Sequence, residues 1–162
     1  MNARAKHITT LCLFLFSCSL AWADLKINSA KPALIPLPQK AAWKDEAIPL
    51  SKVNVNFPNV KMDVRHAQLA DELKEIMKKN SITFDPKSSY SITLKIADVE
   101  APRQKDEAYT LTAGKAGINI TANNVTGLYY GVQTLRQLIV KQDGKTTVAA
   151  CDIHDFPAFK IR

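Results

Sequence analysis

The chain has 162 residues, 46% hydrophobic and 23% charged, with 22 Lys and Arg against 15 Asp and Glu for a net charge of +7. That composition excludes a disordered or fibrous chain and suits one domain with a real core. The basic residues are scattered, Lys78-Lys79 being the one adjacent pair, so dispersed solvating charge is a simpler reading than a nucleic-acid-binding face.

Residues 1–23 read as a signal peptide. Arg4 and Lys6 precede an apolar run from Ile8 to Leu20, and Ala21-Trp22-Ala23 is an A-x-A cleavage signal. The run is too short for an ordinary membrane span. Lipoprotein processing at Cys18 is the alternative, with Phe16 standing where a small residue is usual. The expected location is secreted or periplasmic. Cleavage after Ala23 removes Cys12 and Cys18, which leaves Cys151 alone and no internal disulfide.

Pro32, Pro36, Pro38 and Pro49 predict an extended leader over residues 32–49 with little regular structure. Val53, Val55 and Phe57 alternate with Asn54 and Asn56, the pattern of a half-buried strand. Leu69, Leu73, Ile76 and Met77 make one stripe of a helix from about Val64 to Lys79, with Asp63 as a candidate N-cap. Tyr90, Ile92, Leu94 and Ile96 share one face of the next strand, and residues 101–107 form a solvated loop. Tyr109–Thr112 and a strand carrying Ile118, Ile120 and Ala122 flank the hairpin loop Ala113-Gly114-Lys115-Ala116-Gly117.

A second helix follows in "GLYYGVQTLRQLI", Gly127 to Ile139, capped by Asn123, Asn124 or Thr126. Gly127 and Gly131 lie four apart on one helix face and cost up to ~1 kcal/mol each against Ala, so close approach to a sheet or a neighbouring domain is the expected reason for them. Gly144 marks a turn, and Thr146–Ala150 is a last short strand. The predicted class is α+β: a small mixed or antiparallel sheet with both helices on one face.

The search for chemistry finds no nucleophile elbow, zinc-helix or phosphate-loop motif. His66 reads as solvent-facing. Asp152 and His154 point to one side of an extended segment and Asp155 to the other, too few ligands for a metal site. Asp45-Glu46, Asp71-Glu72 and Asp106-Glu107 are neighbours in sequence, so their side chains diverge. Asn119-Ile120-Thr121 and Asn124-Val125-Thr126 match the N-glycosylation sequon. The residues point to no catalytic site, metal or cofactor.

"YTLTAGKAGINITANNVTGLYYGVQTLRQLI" followed by "VAACDIHDFPAFKIR", with "IPLPQKAAW" upstream, resembles the N-terminal, non-catalytic domain of family-20 glycoside hydrolases, the β-N-acetylhexosaminidases. The resemblance spans roughly Pro32 to Arg162. It implies an α/β layer over residues 24–150 and a connection over residues 151–162 into the first strand of a catalytic (β/α)8 barrel that these 162 residues do not contain. It implies a barrel partner in cis or in trans, N-acetylhexosamine-containing glycans reached through that barrel, and substrate-assisted retaining hydrolysis. The catalytic Asp and Glu of the family have no counterparts here. One family residue does: by the Phe-x-x-Arg motif, Arg162 corresponds to the arginine that hydrogen-bonds the terminal sugar, a task suited to a planar five-donor guanidinium. A stand-alone carbohydrate-binding or structural interaction module is the alternative, and Trp43 is its one candidate stacking platform.

Overall fold

Leu94, Ile120, Leu111, Ile153 and Ala41 are register partners in one row across five neighbouring strands, and the first four are almost wholly buried. The next row is Thr93, Asn119, Thr112, Asp152 and Ala42, partly or fully open to solvent. Strand alternation thus gives the sheet one apolar and one polar face, and both helices lie on the apolar one. The computed structural model in which this is seen describes residues 31–58, 60 and 64–158. The signal-peptide prediction, the Asp63 cap and Arg162 lie outside the described residues.

In chain order the elements are β1 (Lys40–Pro49), β2 (Lys52–Asn56), α1 (Val64–Lys79), β3 (Thr83–Phe84), β4 (Ser91–Ile96), a 3-10 turn (Lys105–Glu107), β5 (Tyr109–Gly114), β6 (Gly117–Ala122), α2 (Val125–Leu138), β7 (Ile139–Gln142) and β8 (Lys145–Asp155). The strand order is β1-β8-β5-β6-β4-β2-β3, with β7 also paired to β8. Pairing is antiparallel from β1 to β6 and parallel from β6 to β3. The class is the α+β layer expected.

The predicted leader is partly wrong. Lys40 to Ile48 contains no proline, and this stretch forms the edge strand β1, hydrogen-bonded on one side to β8. Edge strands tolerate flanking prolines because one row of N–H groups needs no partner. The last strand is not short. β8 is 11 residues long and lies inside the sheet, between β1 and, successively, β7 and β5. Residues 151–155, expected to begin a connection, are therefore part of the sheet.

Period-two reasoning breaks down in β8 at one place. Thr146, Val148 and Ala150 are buried, and then so are Cys151, Ile153 and Asp155. The inward parity switches at Ala150–Cys151, where β1 advances from Trp43 to Ala47 against only Cys151 to Ala149. Such a bulge bends the strand. The first half of β8 then meets the C-terminal end of α1: Thr146 Oγ1 donates to the Asn80 carbonyl at 2.6 Å, and Leu50 N–H donates to the Thr146 carbonyl at 2.8 Å.

α2 begins where Asn124 Oδ1 accepts from the N–H groups of Thr126 and Gly127, at 2.9 and 3.2 Å, which satisfies two donors the helix leaves unpaired. Its glycines answer to the sheet. A Cβ on Gly127 would stand 2.6 Å from the Ala108 carbonyl oxygen and 2.8 Å from Ala122 Cβ. One on Gly131 would run into Ile120 and crowd the Tyr109 ring. The helix rests on β5 and β6 closer than any side chain permits. α1 lies beside it, and Glu72 accepts from Gln133 at 2.9 Å and from Arg136 at 3.4 Å across the helix pair.

Candidate functional site

The residues that sequence chemistry singles out are kept apart by the fold. Asp152 and His154 do share the open face and Asp155 points inward, as strand alternation requires. Asp152 is taken by Lys44, 2.9 Å away in a solvent-exposed pair. His154 Nε2 lies 2.8 Å from the Glu100 carbonyl oxygen, and its ring is 5.6 Å from that of Phe156. Asp155 is 4% exposed and accepts the Gln39 N–H on Oδ1 at 3.2 Å. Among the described residues no group of three or more His, Cys, Asp or Glu side chains could hold a metal ion.

The carboxylate neighbours diverge as expected and serve separate surface contacts. Glu46 pairs with Lys115 at 2.6 Å, Asp71 with Lys74 at 2.9 Å, and Glu72 reaches α2. His66 corrects the sequence reading. It is 6% exposed, not solvent-facing, and packs edge-on against the Phe57 ring at 4.5 Å. The helix start places it beside Phe57 at the end of β2, in an edge-to-face ring contact. Cys151 is fully buried, and burial, with Asp152 beside it, pushes its thiol up to about 11 against the opposing pull of Lys44. At neutral pH it carries no thiolate and is no nucleophile.

A hollow of about 280 Å³ lies at the β2–β3 edge under α1, lined by Val55, Phe57, Leu73, Met77 and Phe84 among others. Among the described residues Lys74 is its one charged wall residue, and no acid–base pair of described residues converges there. Trp43 is half-buried and packs against the core next to its register partner Cys151. A ring used that way is not a free stacking platform.

Polar contacts do converge where the chain leaves β8. Asn123 Oδ1 accepts the Val99 N–H at 2.8 Å, while its Nδ2 donates to the carbonyls of Val99 and Lys105 at 2.9 and 2.8 Å. The loop so held carries Glu100, which meets His154, and Arg103, whose guanidinium donates to the Ala158 carbonyl at 2.8 Å. From the other side the leader reaches Asp155 through Gln39. The sequence offers Asn123 as one of three candidate helix caps and predicts a solvated loop over residues 101–107. An Asn-Asn pair before a helix offers one side chain more than the cap needs, the one available hint. Arg162, the predicted sugar ligand, is four residues beyond Ala158 and outside the described residues.

Residues 31–156 match the sequence family described as "Glycosyl hydrolase family 20, domain 2". The solved structures similar to this chain include the protein named CpGH84B, with TM-score 0.63 and 25% identity over 80% of this chain. A Streptomyces plicatus β-hexosaminidase variant in complex with GlcNAc gives 0.62 and 26% over 82%. The Streptomyces coelicolor A3(2) GH20 β-N-acetylhexosaminidase gives 0.61 and 25% over 82%. The chain spans 23%, 28% and 29% of the lengths of those three chains.

Proposed function

This chain belongs to glycosyl hydrolase family 20, as its domain 2, and from that premise we propose that it serves as the accessory layer of a secreted or periplasmic β-N-acetylhexosaminidase. The whole enzyme would remove terminal non-reducing N-acetylhexosamine residues from glycans. Its nucleophile would be the substrate's own acetamido group, held in a (β/α)8 barrel in cis or in trans. The observation that carries this reading is the family match over residues 31–156, together with a described surface whose carboxylates are each dispersed. On this reading Arg162 reaches the sugar once the barrel positions it.

An outward stripe of α2 supports a docking role. Tyr129 is 42% exposed, and Gln133 and Gln137 continue its face. Gln137 holds the leader by accepting the Ile35 N–H at 2.8 Å and donating to the Ile35 carbonyl at 3.1 Å. Ile35 and Leu37, 79% and 82% exposed, stand beside that helix as large apolar groups in water. Purified chain should turn over no chromogenic N-acetylglucosaminide and should bind an extrinsic hydrophobic dye while folded. Turnover by the chain alone would overturn the accessory role. The alternative, a carbohydrate-binding module, predicts a Trp43 fluorescence change on titration with chitooligosaccharides. The half-buried packing of Trp43 favours none.

A further inference from the structure

The loop from residue 97 to residue 108 is fastened at both ends and in its middle, and two of its residues reach the outgoing chain. Ala97 N–H donates to the Ala122 carbonyl at 3.0 Å. Ala108 is fully buried, its carbonyl under Gly127. Between them Asn123 uses its carbonyl and its amide on three backbone groups of the loop. Bonds to backbone fix where a loop runs, whatever its side chains are. The loop then makes two contacts to one target: the Glu100 carbonyl meets His154 Nε2, and Arg103 grips the carbonyl of Ala158. Arg103 is exposed. Its guanidinium donates to a backbone carbonyl three residues beyond the end of β8.

We propose that this loop is a clamp that aims the polypeptide leaving β8, with Asn123 as its anchor and Arg103 as its grip. Gln39, donating to Asp155, is the opposing jaw. Both are positioning residues: Arg103 holds the outgoing backbone at Ala158, and Asn123 holds the backbone of the loop that carries Arg103. The purpose rests on the accessory-domain reading, because a fixed exit direction sets the angle at which a following domain meets this one and the place from which Arg162 starts. The clamp itself does not rest on it.

The test labels the outgoing strand. In Ala158→Cys the new side chain is exposed, and buried Cys151 does not compete for a thiol-directed nitroxide at neutral pH. The parent should give a broad, slow-motion spectrum. Arg103→Gln and Asn123→Ala should each shorten the rotational correlation time at position 158 at least twofold. A control label at Lys145, on the exposed β7–β8 hairpin, should be unmoved. If Asn123→Ala fails to fold, Arg103→Gln, which alters one exposed side chain, carries the test. An unchanged spectrum in folded Arg103→Gln overturns the clamp and leaves the family role intact. Turnover by the isolated chain overturns the accessory role and leaves the clamp standing.

Discussion

The Tyr109 hydroxyl lies 2.6 Å from Thr134 Oγ1, in a buried contact that joins the middle of the sheet to the underside of α2. Tyr109 is 2% exposed and Thr134 is 8% exposed, so water cannot readily replace either partner. Removing one member leaves a buried hydroxyl short of its bond, at a cost of about 1–3 kcal/mol. Tyr109→Phe and Thr134→Val should each lower unfolding stability by that order in urea melts. The double variant should lose less than the two together, because the second change removes a group that has already lost this bond. Strict additivity would show that the contact carries no coupling.

Gly127 and Gly131 give a second prediction, with an internal control. Ala in place of Gly within a helix is ordinarily worth up to ~1 kcal/mol in its favour. Here the new Cβ of Gly127→Ala meets backbone at Ala108 and the Ala122 side chain, neither of which can rotate away. The net effect should be destabilising by about 1–3 kcal/mol, the usual cost of overpacking. Gly131→Leu should cost more. Gly114→Ala has nothing within 4 Å and should leave the melting temperature where it is.

One buried and one half-buried acid predict an alkaline limb of stability. Burial pushes the Cys151 thiol from 9.0 up to about 11, and burial pushes the Tyr90 hydroxyl, which donates to the Gly114 carbonyl at 2.9 Å, from 10.0 up to about 12. Above pH 9 the unfolded chain releases the Cys151 proton while the folded one keeps it, so the unfolded state gains. Stability contributed by the protonated groups is fully present below pH 9. It should fall through pH 9–11 for Cys151, by at most ~1.4 kcal/mol per pH unit, and through 10–12 for half-buried Tyr90 by less, because solvent screens that group. Cys151→Ala should flatten the curve between pH 9 and 11. Equal slopes in the two proteins would refute the shift.

The Asn124 cap predicts a position-specific loss. Asn124→Ala should cost about 0.5–2 kcal/mol and Asn124→Asp much less, since Asp keeps the oxygen that accepts from Thr126 and Gly127. Thermal melts of the two variants decide this. Equal losses would move the role of Asn124 from its oxygen to its amide.

Both helices and the strands around Ile92, Leu111 and Ile120 were legible because their apolar residues keep one period from end to end. α1 runs from Val64 to Lys79, as the stripe from Leu69 to Met77 predicts. β1 was hidden because its burial is thin: of its ten residues only Ile48 is fully covered, and alternation fades on a one-sided edge. β8 was cut short because the parity switch at Ala150–Cys151 ends the apparent period five residues before the strand ends. β7 was absorbed into α2, since Ile139 fits the helical stripe as well as it fits a strand partner for Val148. The reason for the glycines was half visible. Spacing put both on one face, and only three dimensions show that β5 and β6 occupy it. The clamp was invisible because Asn123, Arg103 and Ala158 meet only when residues far apart in sequence are folded together.

The position of β8 has a consequence in time. Among the described residues β1 pairs with β8 alone, and β5 has β8 as one of its two neighbours. A chain emerging from the ribosome at roughly 5–20 residues per second therefore carries β1 without this partner until β8 has been made. Through synthesis of more than a hundred residues, Trp43 and Ile48 have only transient cover. The strands from β2 to β6 can pair before β8 exists, so the β1 edge is the part of the sheet that must come late.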